Sequence, residues 1–295
     1  MLGLRRRDDR PHVSGRLHGR TGPPQGGFLF PDRQLNPQPI AVFDSGLGGL
    51  TVLRALRDRL PQEDFFYFAD TRFLPYGDRP EAFLKERGVL IAEALARRGA
   101  KALVIACNTA TAAAAEAIRA ATALPVVALE PGVKPAAALT RSGVVGVLAT
   151  TRTLDSERFR RLVGNHANHV EVVAQACPGL AEAIETEGAD SAAVARLLDD
   201  CLGPLAAAGA DVVVLGCTHY PWAAKASARR VPAGVALLAT GAAVARQLER
   251  LLAAAGLLGG GAGCLNVATS GAPNRVSATV DRLWGQHLSV EHWEP

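Results

Sequence analysis

The feature that most constrains the fold of this chain is an internal repeat whose two copies lie 110 residues apart. Residues 99–107 (GAKALVIAC) align with residues 209–217 (GADVVVLGC), so a short run of apolar residues precedes Cys107 in one copy and Cys217 in the other. An apolar, β-branched run of this length bounded by turn residues predicts a buried strand of a parallel sheet. The chain is therefore predicted to consist of two related halves, each with a cysteine at a strand end.

From residue 40 onward, short β-branched runs alternate with Ala-, Leu- and Arg-rich stretches of helical period, which is typical of βα units. The predicted strands are Ile40–Phe43, Phe65–Ala69, Ala102–Ala106, Val126–Leu129, Val144–Leu148, Val170–Ala174, Val212–Leu215 and Val235–Leu238. The predicted helices are Gly49–Leu60, Glu81–Arg98, Thr111–Ala121, Ser156–Val163, Leu180–Glu187, Ala192–Ala208, Pro221–Arg230 and Ala242–Ala255. The expected fold class is α/β, with two pseudo-symmetric lobes, each a mainly parallel sheet flanked by helices, and an active site in the cleft between them.

Three segments are expected along the chain: a disordered basic leader (1–39), a first α/β lobe (40–133 plus 242–295) and a second α/β lobe (134–241). Seven arginines and three aspartates of the leader account for the whole net charge of +4. The lobes are therefore neutral, and the sequence pI near 9.0 does not indicate a nucleic-acid partner. No apolar segment suits a secretory signal or a membrane span, so no membrane partner and a cytoplasmic location are expected.

Polar residues follow both cysteines of the repeat, where a helix is predicted to begin. They are Asn108 and Thr109 after Cys107, and Thr218 and His219 after Cys217. Free N–H groups and the helix dipole favour a thiolate at such a position, and His219 could serve Cys217 as a base or proton partner. The spacing does not suit a structural metal, which needs four ligands, and a Cys-His-Asn hydrolase would leave one thiol without a role.

Two opposed thiols suit a reaction that removes a proton from one face of a carbon and returns a proton to the other face. The poor acidity of an amino-acid Cα–H would be offset by desolvation in a closed cleft and by donors that hold the carboxylate. The available side-chain donors are Ser45, Asn108, Thr109 and Thr218.

A glycine-rich loop, Asp44 to Thr51 (DSGLGGLT), follows the first predicted strand. It resembles a dinucleotide fingerprint, and Asp70 occupies the place of a ribose-binding acid, but Thr51 stands where the third glycine is required. The competing interpretation is that Asp44 and Ser45 project into the cleft. Asp44 would then serve Cys107 as His219 serves Cys217.

Taken together, these motifs resemble the bacterial glutamate racemases of the aspartate/glutamate racemase superfamily. The resemblance runs in order from about Ile40 to the chain end. It rests on Asp44-Ser45-Gly46-Leu47-Gly48-Gly49-Leu50-Thr51-Val52, Pro75-Tyr76-Gly77, Ala106-Cys107-Asn108-Thr109-Ala110, Glu130-Pro131-Gly132, Leu215-Gly216-Cys217-Thr218-His219-Tyr220-Pro221 and Ala268-Thr269-Ser270-Gly271.

The resemblance implies interconversion of L- and D-glutamate without cofactor or metal, and a supply of D-glutamate for peptidoglycan. It implies that Cys107 takes the proton from D-glutamate and Cys217 from L-glutamate, with Glu185 as a carboxylate near the His-assisted thiol. A homodimer is compatible with the resemblance. The residues that match substrate-contacting positions are Asp44, Ser45, Tyr76, Gly77, Asn108, Thr109, Thr218 and His219.

The chain departs from the family pattern at three places: Ala69 replaces a usual Gly, Arg72-Phe73 invert the usual placement of a basic residue, and Ala239 stands where an Asp is common. Three alternatives stay open, namely the same chemistry on another small acid such as aspartate, a two-lobe amino-acid-binding protein, and a dinucleotide-dependent enzyme. The other cysteines are interpreted as structural: Cys177, Cys201 and Cys264.

Overall fold

The apolar runs form two separate sheets in a computed structural model, which describes residues 38–295. All strand pairs in both sheets are parallel. The first sheet has the order β10-β9-β2-β1-β3-β4 and the second has the order β6-β5-β7-β8. The strands are β1 Ile40–Asp44, β2 Phe65–Ala69, β3 Ala102–Ile105, β4 Val126–Ala128, β5 Val144–Ala149, β6 Glu171–Ala176, β7 Val212–Leu215, β8 Ala236–Leu238, β9 Leu265–Thr269 and β10 Val290–His292.

Helices connect the strands and cover the sheets. They are α1 Leu50–Arg59, α2 Glu81–Arg97, α3 Asn108–Ala121, α4 Val133–Leu139, α5 Thr151–Asp155, α6 Glu157–His166, α7 Leu180–Thr186, α8 Ala192–Ala207, α9 Ala224–Ala228, α10 Gly241–Ala254 and α11 Pro273–Trp284. Short 3₁₀ helices lie at Thr71–Phe73, Tyr76–Asp78 and Tyr220–Ala223. Within the described residues, no helix is long and apolar enough to cross a membrane.

The strands at the centre of the first sheet are buried on both faces, which explains their continuous apolar sequences. Every residue of β1 and β2 is buried. Side chains of these strands alternate between two apolar clusters, with Val42 and Tyr67 in one and Phe43 and Phe68 in the other. Each Å² of apolar surface buried on the two faces stabilises such a sheet by about 25 cal/mol. Because both faces are covered, the ends of the strands are left as the accessible part of the sheet.

The predicted repeat is confirmed at the level of strands. The bounds of β3 and β7 differ by 110 residues, as do those of β4 and β8. In each sheet, the chain changes its direction of travel between two neighbouring strands, β1 and β3 in the first sheet and β5 and β7 in the second. Open parallel sheets bind ligands at the carboxyl ends of strands at such a switch point.

The structure corrects several predicted elements. It contains ten described strands rather than eight: β9 includes the polar residues Asn266 and Thr269, and β10 is a three-residue, partly exposed strand. Neither has a strong apolar run. The predicted helix Pro221–Arg230 is a 3₁₀ turn followed by the five-residue α9. The helices α4, α5 and α11 were not predicted from the sequence.

The strands of the first sheet all lie within 40–133 or 242–295, and those of the second sheet all lie within 134–241. The described elements belong to one compact unit. The disordered leader was predicted over residues 1–39, of which residues 1–37 lie outside the described residues. Within the remaining two residues, the Pro39 carbonyl accepts a hydrogen bond from the Lys101 backbone N–H at 3.0 Å.

Candidate active site

Both cysteines of the repeat lie at the switch points of their sheets. Cys107 follows β3 and Cys217 follows β7 by one glycine, and they are buried, with 5% and 8% exposure. The glycine-rich loop follows β1 and so begins beside Cys107, while Thr150 follows β5 beside the Cys217 turn. Polar residues therefore follow the two strands at each switch point, β1 and β3 in the first sheet and β5 and β7 in the second.

Cys107 is the N-cap residue of α3. Its Sγ accepts a hydrogen bond from the backbone N–H of Ala110 at 3.4 Å and lies 3.4 Å from the Ser45 hydroxyl. Burial, and after it the negative charge of Asp44, raises the pKa of Cys107 to about 12. The expected stabilisation of a thiolate by the helix N-terminus is present, through the Ala110 N–H, but it does not decide the pKa. The donors do lower the pKa, but desolvation of the charged sulfur outweighs them.

Cys217 has a different environment, built around an imidazole. Its Sγ lies 3.7 Å from Nδ1 of His219, whose Nε2 lies 2.5 Å from Oε1 of Glu185. Burial alone would lower the pKa of His219, but Glu185 and Cys217 raise it well above its ordinary value. Burial would likewise raise the pKa of Glu185, and His219 lowers it. An imidazolium paired with a carboxylate therefore faces Cys217.

The prediction that Cys217 precedes a regular helix is incorrect. His219 caps the 3₁₀ turn Tyr220–Ala223, in which Pro221 occupies the first turn. The Tyr220 backbone N–H donates to the Cys217 carbonyl at 3.1 Å, so residues 217–220 form a tight turn that keeps His219 close to the thiol two residues earlier.

Glu185 reaches this site from α7 and joins it to the glycine-rich loop. The same Oε1 that contacts His219 accepts a hydrogen bond from the Leu47 backbone N–H at 2.8 Å. A Cβ at Gly46 would lie 2.8 Å from this oxygen, and a Cβ at Gly48 would overlap the His219 ring and lie 2.6 Å from Thr218 Oγ1. Glycine is required at both positions because the loop backbone packs directly against the carboxylate and the imidazole.

Asp44 holds its own loop rather than Cys107. Its Oδ1 accepts from the Ser45 N–H at 2.9 Å and its Oδ2 accepts from the Gly49 N–H at 2.5 Å. Among the described residues, the side chain within hydrogen-bond distance of Cys107 is Ser45, whereas Asp44 was expected to serve this thiol as His219 serves Cys217. Burial raises the pKa of Asp44, although His219 and the two N–H groups oppose the rise.

Tyr76 and Gly77 occupy a turn that follows a cis Leu74–Pro75 peptide bond. The Tyr76 hydroxyl donates to Asp70 Oδ2 at 2.6 Å, and Arg87 binds both oxygens of Asp70. The Tyr76 phenol, which was predicted to contact substrate, therefore points toward a buried network with Asp70 and Arg87. Because Asp70 is bound in this network, it is not free to bind a ribose. A Cβ at Gly77 would meet nothing within 4 Å, so this part of the turn borders open space.

The residues that follow Cys107 and Cys217 are buried beside them, with Asn108 at 5%, Thr109 at 4% and Thr218 at 5% exposure. The Thr109 hydroxyl lies 3.0 Å from that of Thr150, which lies 2.9 Å from that of Thr153. Thr150 and Thr153 were not predicted from the sequence to lie at this site. The signal was available, because polar residues directly follow β5, the strand next to β7.

Two of the departures from the family pattern include exposed side chains. Arg72 is exposed and pairs with Glu294 at 3.0 Å, while Phe73 packs against the apolar cluster on one face of the first sheet. Ala239 is exposed. Within residues 38–295, no group of three or more His, Cys, Asp or Glu side chains is arranged to hold a metal ion.

Comparison with known proteins places this geometry in a family. The family model for Asp/Glu/Hydantoin racemase matches residues 51–259. A glutamate racemase from Pseudomonas paraeruginosa is 50% identical over 254 residues, which cover 85% of this chain and 96% of that protein.

Two solved structures share the fold over nearly their whole length. Glutamate racemase isoform RacE1 from Bacillus anthracis aligns with a TM-score of 0.79 at 30% identity, over 87% of this chain and 97% of that one. Escherichia coli glutamate racemase, solved with L-glutamate and the activator UDP-MurNAc-ala, aligns with a TM-score of 0.77 at 31% identity, over 87% and 98% of the two chains. The family match over more than half of the chain and the identity to these relatives lead to one assignment: the chain belongs to the Asp/Glu/Hydantoin racemase family.

Proposed function

We propose that this chain is an isomerase that interconverts L-glutamate and D-glutamate by proton transfer between two thiols, and that the D-glutamate supplies peptidoglycan synthesis. The observation that carries the proposal is the pair of buried cysteines at the switch points of two related sheets. Each thiol has its own set of partners, so each can act on one face of a substrate carbon. The Escherichia coli relative, solved with L-glutamate, supports glutamate as the substrate.

The partners of the two thiols assign each of them a role in the reaction that starts from L-glutamate. Glu185 and Cys217 raise the pKa of His219 against the effect of burial, and the resulting imidazolium stabilises a Cys217 thiolate. Burial and Asp44 keep Cys107 protonated. Cys217 would remove the Cα proton, and the electron pair of the C–H bond would remain on the substrate as a carbanion delocalised into its carboxylate. Cys107 would then donate its proton to the opposite face.

After that turnover the charges are exchanged, with Cys107 as thiolate and Cys217 as thiol. This state accepts D-glutamate, for which Cys107 acts as the base and Cys217 as the acid. The Ser45 hydroxyl and the Ala110 N–H, both in contact with Cys107, stabilise its thiolate in this half of the cycle. Side chains beside the thiols, Asn108, Thr109 and Thr218, and the turn at Gly77 supply the groups that would hold the two carboxylates.

The direct test is incubation of the purified chain with L-glutamate or D-glutamate, without added cofactor, followed by circular dichroism. We expect either enantiomer to approach the racemic mixture. An unchanged signal with a protein shown to be folded would overturn the proposal. Aspartate is assayed in parallel, because racemisation of aspartate at an equal or higher kcat/KM would show that the substrate is assigned wrongly.

We also propose that residues 40–133 plus 242–295 form one lobe, that residues 134–241 form the other, and that the active site lies in the cleft between them. Cytoplasmic location and a homodimer are part of the proposal by family resemblance. Sedimentation velocity at micromolar concentration tests the homodimer, since a single species with the mass of one chain would rule it out under those conditions.

A further inference from the structure

A small cavity lies beside the N-terminal turn of α3 and is lined in part by Asn108, the residue that follows Cys107. Its walls come from α3, from α5 and α6, and from the segment Glu130–Pro131. The centre of a water-sized sphere can occupy about 10 Å³ of it, which is room for one water molecule. Most of its walls are apolar, through residues such as Leu129, Phe159 and Leu162.

Three polar side chains of this cavity each carry a buried atom without a hydrogen-bond partner in the described part of the chain. The atoms are Asn108 Oδ1, Thr111 Oγ1 and Arg158 Nε. Asn108 is 5% and Thr111 2% exposed. An unsatisfied buried polar atom costs about 1–3 kcal/mol, so three at one cavity indicate a ligand that satisfies them together.

Arg158 is held in place by its other nitrogens. Its Nη2 donates to the Glu130 carboxylate, and its Nη1 lies 3.8 Å from Glu116. The planar guanidinium is thereby fixed, and its remaining donor, Nε, is left to the cavity. This arrangement gives the Glu130-Pro131-Gly132 motif a role, because Glu130 orients an arginine of α6 toward the start of α3.

We propose that this cavity binds a single water molecule, which links Asn108, Thr111 and Arg158. The three atoms comprise an acceptor, a hydroxyl that can donate or accept, and a donor, and a water molecule has two protons and two lone pairs to match them. An anion such as chloride would be opposed by the Asn108 carbonyl oxygen, and a metal ion by the guanidinium. Water is the ligand whose chemistry fits all three groups.

The water positions the side chain of Asn108 for the proposed reaction, on which this step of the inference depends. The positive charge of Arg158 favours the amide oxygen on the cavity side. With Oδ1 directed there, the planar amide directs Nδ2 elsewhere, as the donor that a substrate carboxylate requires. Thr111 and Arg158 are thus positioning residues that act through the water and Asn108.

The test compares Thr111→Val, which keeps the shape of the side chain and removes its hydroxyl, with Thr111→Ser, which keeps the hydroxyl. In the parent protein, a crystal structure at high resolution should show a solvent peak within hydrogen-bond distance of the three atoms. Thr111→Val should lose this peak and raise KM for glutamate about three- to tenfold, the worth of one hydrogen bond, with kcat changed less than KM. Thr111→Ser should keep the peak and the parental KM.

Arg158→Lys provides a second probe, since it keeps a charge for Glu130 and removes Nε. Arg161→Lys is its matched control, because Arg161 lies on the same helix, pairs with Glu116 and is exposed. Arg158→Lys should raise KM while Arg161→Lys should not. An absent solvent peak in the parent protein, or a parental KM in Thr111→Val, would overturn the inference. If the peak is present but glutamate is not racemised, the water site stands and the proposed function fails.

Discussion

At the scale of single residues, the two thiols have different environments, although they occupy equivalent positions in the repeat. Cys107 contacts a hydroxyl and a backbone N–H, and burial raises its pKa to about 12. Cys217 faces His219, which is paired with Glu185. The two thiols therefore have different partners, in keeping with their proposed roles as acid and base on opposite faces of one carbon.

Replacement of either thiol tests this division of roles. Cys107→Ser and Cys217→Ser should each lower kcat/KM for glutamate at least about 100-fold, the usual contribution of a general acid or base, while substrate still binds. Since enantiomers have equal free energies, the loss must be the same in both directions. Cys201→Ser is the control, because Cys201 is a buried thiol of α8 that donates to the Ala176 carbonyl. Near-parental racemisation by either of the first two variants would refute the two-base scheme.

The His219–Glu185 pair predicts a pH window for stability. The folded pKa of His219 lies above 6.5, so its contribution is complete below pH 6.5 and is lost as pH rises through the folded value. The folded pKa of Glu185 lies below 4.5, so its contribution is complete above pH 4.5 and is lost as pH falls through the folded value.

The Glu185→Gln variant should therefore show a flatter dependence of the unfolding free energy on pH than the parent protein, on both sides of the window. The His219 pKa, followed by NMR, should fall in the same variant because the carboxylate that raises it is gone. An unchanged His219 pKa would show that Glu185 does not control the imidazole.

At the scale of elements, the glycine-rich loop acts as a packing surface. Its backbone lies against Glu185 and His219, and Asp44 fixes its shape by accepting two of its N–H groups. The loop can therefore pack against Glu185 and the Cys217 turn only if its residues at the contact, Gly46 and Gly48, have no side chain.

Gly48→Ala should consequently impair catalysis without unfolding the protein. The added methyl group would overlap His219, so the loop and the turn would have to separate, and we expect kcat/KM to fall at least about tenfold, the equivalent of about 1.4 kcal/mol. Gly164→Ala is the control, since a Cβ on this α6 glycine meets nothing within 4 Å. It should leave kinetics unchanged and raise stability by about 0.5–1 kcal/mol. Parental kinetics in Gly48→Ala would contradict the close packing.

The elements also show what could be predicted from the sequence. Strong apolar runs located β1 to β8 within a few residues, and the repeat located both thiols at strand ends. The short or weakly apolar strands β9 and β10 were missed because their burial depends on neighbours distant in sequence. The partners of Asp44 and Tyr76 were missed for a similar reason, since a motif fixes where a residue lies along the chain and tertiary packing decides what its side chain contacts.

At the scale of the whole molecule, catalysis is predicted to depend on the two sheets and not on the basic segment that precedes them. The excess positive charge of the chain belongs to residues 1–39, whereas Pro39 is joined to Lys101 by a backbone hydrogen bond. Deletion of residues 1–37 should therefore lower the pI and leave kcat and KM for glutamate unchanged. A truncated protein that folds but no longer racemises glutamate would show that the segment contributes to the active site.

The measurement that tests the central claim most directly is the isotope pattern at early times in D₂O. With L-glutamate as substrate, two-thiol transfer predicts that the D-glutamate formed in the first turnovers carries deuterium at Cα, because Cys107 delivers a proton that has exchanged with solvent. The unreacted L-glutamate should at that stage retain its original hydrogen. D-glutamate that keeps the original hydrogen would mean that one base both removes and returns it, and would contradict the account.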